Sequence, residues 1–70
     1  MSDHVYSITE IVGTSGTSVD EAIKTGIATA AKTLRNLEWF EVKDTRGVIA
    51  DGKRVGYYQV TLKVGFRIEE

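Results

Sequence analysis

From residue 54 to residue 68 the chain alternates with period two, placing Tyr58, Val60, Leu62, Val64, Phe66 and Ile68 on one face and Tyr57, Gln59, Thr61, Lys63, Gly65 and Arg67 on the other. A strand of about 15 residues extends roughly 50 Å at 3.3–3.4 Å per residue. Only one other segment has helical periodicity, and a helix of about 20 residues at 1.5 Å per residue extends about 30 Å. One helix cannot cover such a sheet. The sheet is therefore expected to curl strongly around the helix and to pack its ends and back against other subunits.

The helix begins at a capping box, Ser18 with Glu21, and Asp20 and Glu21 put negative charge in its first turn. Val19, Ala22, Ile23, Ile27, Ala30, Ala31, Leu34 and Leu37 recur at spacings of three and four as its apolar stripe, with Lys24, Lys32 and Arg35 largely off it. Gly26 costs about 1 kcal/mol against Ala in a helix interior. Together with Ala22, Ala30 and Ala31 it thins the apolar face, so that a sheet can approach closely.

Residues 4–12 read as a first strand, with Tyr6, Ile8 and Val12 on one face and Val5, Ser7, Thr9 and Ile11 on the other. Gly13-Thr14-Ser15-Gly16-Thr17 reads as a turn. Residues 39–50 form a second strand, joined by a hairpin at Asp51-Gly52 and Lys53 to the third strand, residues 54–68. The fold class is α+β, in the order β-α-β-β. The simplest all-antiparallel arrangement puts the third strand in the centre, with the helix as a right-handed crossover between the outer two. That leaves two edges unprotected by proline, which intersubunit contact would cover.

The chain has 70 residues, 41% of them hydrophobic, which allows a single domain over residues 1–70. Below roughly 70–80 residues a domain commonly needs a disulfide, a metal or partner subunits. With no Cys, and His4 as the sole imidazole, partner subunits are the expected staple. The net charge of −1 comes with dispersed Lys and Arg, which disfavours extended nucleic-acid binding. The N-terminal residues carry neither a basic nor an apolar targeting pattern, and no apolar run approaches the roughly 20 residues that span a bilayer. The expectation is a cytoplasmic protein without membrane or nucleic-acid partners.

No catalytic constellation emerges. His4 lies near a terminus, there is no thiol, and Glu38, Glu41 and Asp44 read as solvated charges around the strands. Gly13-Thr14-Ser15-Gly16 lacks both the Walker ending and the dinucleotide spacing. An enzyme is not expected.

The largest aromatic is placed differently. In Trp39-Phe40-Glu41-Val42-Lys43, the residues Phe40 and Val42 serve the core, while Trp39 shares the other face with Glu41 and Lys43. Gln59 has the same outward parity on the adjacent strand. An indole plane and an amide carrying both donor and acceptor suit a planar heterocycle. The same two residues would equally serve a contact between subunits, and the residues alone support both readings.

Glu10-Ile11-Val12-Gly13-Thr14-Ser15, Glu38-Trp39-Phe40-Glu41-Val42, Thr45-Arg46-Gly47 and Tyr58-Gln59-Val60-Thr61-Leu62-Lys63-Val64-Gly65-Phe66 follow one another in an order that resembles the bacterial dodecins over nearly the whole chain. This resemblance implies a β-α-β-β subunit whose three-stranded antiparallel sheet curls around its helix, assembled as a hollow dodecamer. It also implies flavin, FMN foremost, bound in pairs between subunits, where the cofactor is stored or sequestered and its photochemistry quenched. Trp39 then looks like the residue stacked on the isoalloxazine and Gln59 like the one bonding its pyrimidine edge. Asp44 is similar to an acidic position near the ribityl chain, and Arg46 resembles a basic position at the phosphate end. Some members also look capable of binding coenzyme A, for which this chain carries no separate adenine-site motif. The alternative function is a structural or interaction module, a symmetric shell with incidental ligand binding.

Overall fold

A computed structural model describes residues 3–69. Its elements follow the order β1 (Tyr6–Ser15), α1 (Val19–Ala30), β2 (Leu37–Ala50) and β3 (Arg54–Arg67). They build one sheet in the order β1-β3-β2, with both pairings antiparallel. The third strand is thus central, as the simplest all-antiparallel arrangement of this element order places it. No helix among the described residues is long and apolar enough to cross a membrane.

Ser18 caps α1 as expected, its Oγ accepting from the Glu21 backbone N–H at 3.1 Å. The segment before it differs from expectation. Gly13, Thr14 and Ser15 continue β1 and pair with Val60, Gln59 and Tyr58, and the turn shrinks to the residues after them. The Ser15 Oγ supports that turn by accepting from the Thr17 N–H at 2.9 Å. Gly13 belongs in the strand because α1 lies directly on it: a Cβ there would run into the carbonyl of Ala22. Gly26 is buried and faces the Gly13 Cα, so two glycines set the close helix-to-sheet approach.

The helix is also shorter than its stripe suggested, ending at Ala30 rather than running on through Leu34 and Leu37. Lys32 and Thr33 donate three residues back, to Thr29 and Ala30, tightening the chain into a turn. Asn36 then adopts φ 62, the left-handed conformation that Asn tolerates better than other non-glycine residues. Its backbone oxygen accepts from the Arg67 N–H at 3.1 Å and its side-chain amide donates to the Arg67 carbonyl at 3.4 Å. Pairing with β3 therefore takes the chain out of the helix at the point where β2 must start.

Twelve residues of helix span about 18 Å, whereas each of the two long strands spans roughly 46 Å. The subunit measures 55 × 20 × 14 Å. A molecule as long as its longest strand has a sheet that is not strongly curled, contrary to the sequence-based expectation. The short helix supplies too little surface to wrap, and the shape of β2 is instead adjusted locally by register shifts at Leu37/Trp39, Val42/Asp44 and Val48/Ile49.

The core is correspondingly small. Val60, Leu62 and Val64 from β3 are 0–1% exposed and meet Ala22, with Ile11, Val19, Ile23, Ile27 and Leu37 packed around them. The helix lies over β1 and β3 and leaves the inner side of β2 open. Phe40 and Val42, assigned to the core by parity, remain 47% and 42% exposed. Phe40 faces an apolar groove of about 530 Å³ against Ile23, Ile27 and Ala28 of the helix.

Candidate functional site

The outer side of the sheet is ordered by β3. Across it run the rows Tyr6–Arg67, Ile8–Gly65–Trp39, Glu10–Lys63–Glu41, Val12–Thr61–Asp44 and Thr14–Gln59–Arg46. Sequence parity alone puts Asp44 and Arg46 on the opposite face from Trp39. The register shift between Val42 and Asp44 leaves Lys43 as an extra residue, and this bulge turns Asp44 and Arg46 onto Trp39's side. All four sequence-predicted site residues therefore share one face.

They do not share one neighbourhood. Trp39 pairs with Gly65 and Gln59 with Arg46 and Thr14, so the two are separated by six positions of β3, about 20 Å. Arg46 and Gln59 lie opposite each other, and Asp44 stands two positions of β3 away from them. Parity revealed the common face but not the spacing along it.

Trp39 is 42% exposed. Its six-membered ring rests over Gly65, where a Cβ would strike Cε2, Cζ2 and Cη2 together, and Tyr6 meets it edge-on with centroids 5.2 Å apart at 70°. Sequence reasoning did not assign a site role to either neighbour. The available signal was Gly65, a bare position inside a long strand, which often marks a close approach of another group.

Charges flank the indole at both ends. Arg67 Nη1 lies 3.9 Å from the Glu38 carboxylate, and Lys43 Nζ reaches Glu10 at 3.2 Å. Partial burial raises the Tyr6 phenol above its ordinary 10.0. Glu38 adds to the shift through its charge and as a hydrogen-bond acceptor, while Arg67 opposes it. Farther along, Arg46 Nη2 lies 3.7 Å from Asp44 Oδ2. The other oxygen, Asp44 Oδ1, is buried without a hydrogen-bond partner. An orphan acceptor of this kind is costly until a donor reaches it.

The chemistry offered is recognition: an open aromatic face, an amide, an acceptor lacking a donor and a guanidinium. Among the described residues no three His, Cys, Asp or Glu side chains gather as a metal-holding group. His4 lies 6.5 Å from the Tyr6 ring, in an edge contact.

A family model described as Dodecin matches residues 5–69. The dodecin of Thermus thermophilus is 53% identical over 66 residues, covering 94% of both chains. Among solved structures, dodecin from Streptomyces davaonensis superposes with a TM-score of 0.94 at 54% identity, covering 99% of this chain and 100% of that one. Dodecin from Streptomyces coelicolor gives 0.93 at 53% identity, covering 100% and 99%.

Proposed function

The chain belongs to the dodecin family, whose members are non-catalytic flavin-binding proteins, and from that premise we propose that it stores or sequesters flavin, FMN foremost, by stacking the ring on Trp39 and quenching its photochemistry. The observation that carries this reading is the indole held over Gly65 with its other side free to receive a planar ligand. A ring stacked there is in contact with an electron donor, so its excited state is short-lived.

The remaining residues fit the group chemically. Asp44 Oδ1 would accept from a ribityl hydroxyl, which gives the orphan oxygen its donor. Arg46 would offer charge-assisted bonds to a terminal phosphate. Gln59 would pair with the donor and acceptor edge of the pyrimidine ring. Since Gln59 lies about 20 Å along β3 from the Trp39 row, one ring system touching both takes Trp39 from one subunit and Gln59 from another.

The same geometry supports a closed oligomer, which the family resemblance makes a dodecamer. Both sheet edges are open, Phe40 and Val42 are uncovered on the helix side, and Ile8 and Val12 are 56% and 54% exposed on the other. Absorbance and fluorescence titration of the assembled protein with FMN, FAD, riboflavin and lumichrome tests the function. Saturable binding with loss of flavin emission is expected. A folded oligomer that ignores all four ligands overturns the cofactor reading and leaves a symmetric shell.

A further inference from the structure

Tyr6 and Trp39 stand on the two outer strands of the sheet with β3 between them. Neighbouring strands lie about 4.8 Å apart, so the two backbones are separated by about twice that distance. Their rings nonetheless meet at 5.2 Å. The indole therefore lies across β3, and the residue beneath it is Gly65, register partner of both Trp39 and Ile8. A Cβ at Gly65 would meet three consecutive atoms of the six-membered ring at nearly equal distances. That geometry belongs to a ring presenting its face to the glycine, not its edge.

We propose that Gly65 and Tyr6 are positioning residues for the Trp39 platform: the bare backbone at Gly65 lets the indole lie flat across the central strand, and Tyr6 closes against its edge. Every larger residue at the glycine position would lift the ring away from the sheet. Without Tyr6 the ring would regain its freedom to swing off β3. Arg67, the register partner of Tyr6, lies 3.9 Å from the carboxylate of Glu38, which occupies the extra position between Leu37 and Trp39. The ring is thus fixed before any ligand arrives, and binding does not have to order it. The ligand part of this inference rests on the flavin reading; the immobility of the indole does not.

Trp39 is the sole tryptophan, so indole signals report on it alone. Near-ultraviolet circular dichroism and time-resolved anisotropy of the ligand-free assembly read the ring's immobility, and FMN titration reads the platform. In Gly65→Ala and Tyr6→Ala the indole is expected to become mobile, and FMN affinity to fall by about tenfold, the scale of a lost ring stack. Tyr6→Phe keeps the ring edge and is expected to retain the immobile indole. An indole as rigid in both alanine variants as in the parent overturns the proposal, as does unchanged FMN affinity once the ring is mobile. If Gly65→Ala does not assemble, Tyr6→Ala against Tyr6→Phe decides alone. If the parent protein ignores FMN, the flavin reading falls while the immobility measurements still decide the positioning role.

Discussion

Trp39 and Gln59 face the same side of the sheet yet sit about 20 Å apart along β3, one beside Gly65 and the other beside Arg46. Subunit mixing turns this separation into a prediction. Trp39→Ala and Gln59→Leu proteins, unfolded and reassembled together, should bind more FMN than either assembled alone, because mixed sites combine the intact Trp39 of one chain with the intact Gln59 of the other. A site made within one chain gives no recovery at any mixing ratio.

Replacing Trp39 by Ala alone should remove roughly 1–3 kcal/mol of flavin binding, the value of a ring stacked on an aromatic side chain. The assembly should survive, since the indole is 42% exposed and stands outside the Val60, Leu62 and Val64 core. Affinity and sedimentation measured on the same sample separate the outcomes. Dissociation of the variant into subunits would identify Trp39 as an interface residue instead.

Part of this arrangement was legible in the sequence because period two is rigid: the alternation through β3 put Val60, Leu62 and Val64 on one face with Tyr58, Phe66 and Ile68, though Ile68 stays exposed, and the all-antiparallel pairing of a β-α-β-β order made that strand central. Parity failed where the ladder gains a residue. Nothing in Val42-Lys43-Asp44 announces the bulge that brings Asp44 and Arg46 to Trp39's face, and those two were identified only through resemblance. The helix end was missed because Ala31, Leu34 and Leu37 continue the apolar spacing. What stops the helix is a tertiary competitor, the bonds of Asn36 to Arg67 31 residues away.

Arg46 should discriminate ligands by their phosphate. Its contact with Asp44 is exposed and long, at 3.7 Å, and such pairs contribute only about 0–1 kcal/mol to stability. Arg46→Ala should therefore leave the fold unchanged while weakening FMN more than riboflavin, with the difference shrinking at high salt. Equal losses for the two ligands would remove Arg46 from the phosphate end.

The contact between Gly13 and α1 makes a sharper stability prediction. A methyl group at Gly13 would collide with the Ala22 carbonyl, which is backbone and cannot turn aside. Gly13→Ala should cost about 1–3 kcal/mol as an overpacked core site, read from the denaturant midpoint. Gly16→Ala is the control, since its added Cβ meets nothing within 4 Å. Similar midpoints for the two variants would show that the helix can move away from β1 at little cost.

The Tyr6 phenol couples the platform to alkaline pH. Partial burial first, and then the neighbouring Glu38 carboxylate, hold its proton more tightly in the folded chain than at the ordinary value of 10.0. The neutral phenol's contribution to stability is thus present in full below pH 10 and is lost as pH rises through the folded value, because the unfolded chain releases its proton first. Above that value the folded state also sets a phenolate beside a carboxylate. Tyr6→Phe cannot ionise and lacks this loss, while Tyr57, Tyr58 and the lysines are common to both proteins. Denaturant midpoints of parent and Tyr6→Phe measured across the alkaline range should keep a constant difference below pH 10, after which the parent falls relative to the variant. The indole's circular dichroism should weaken over the same interval in the parent alone. Two curves that run parallel throughout would mean that Tyr6 titrates alike in the folded and unfolded chains.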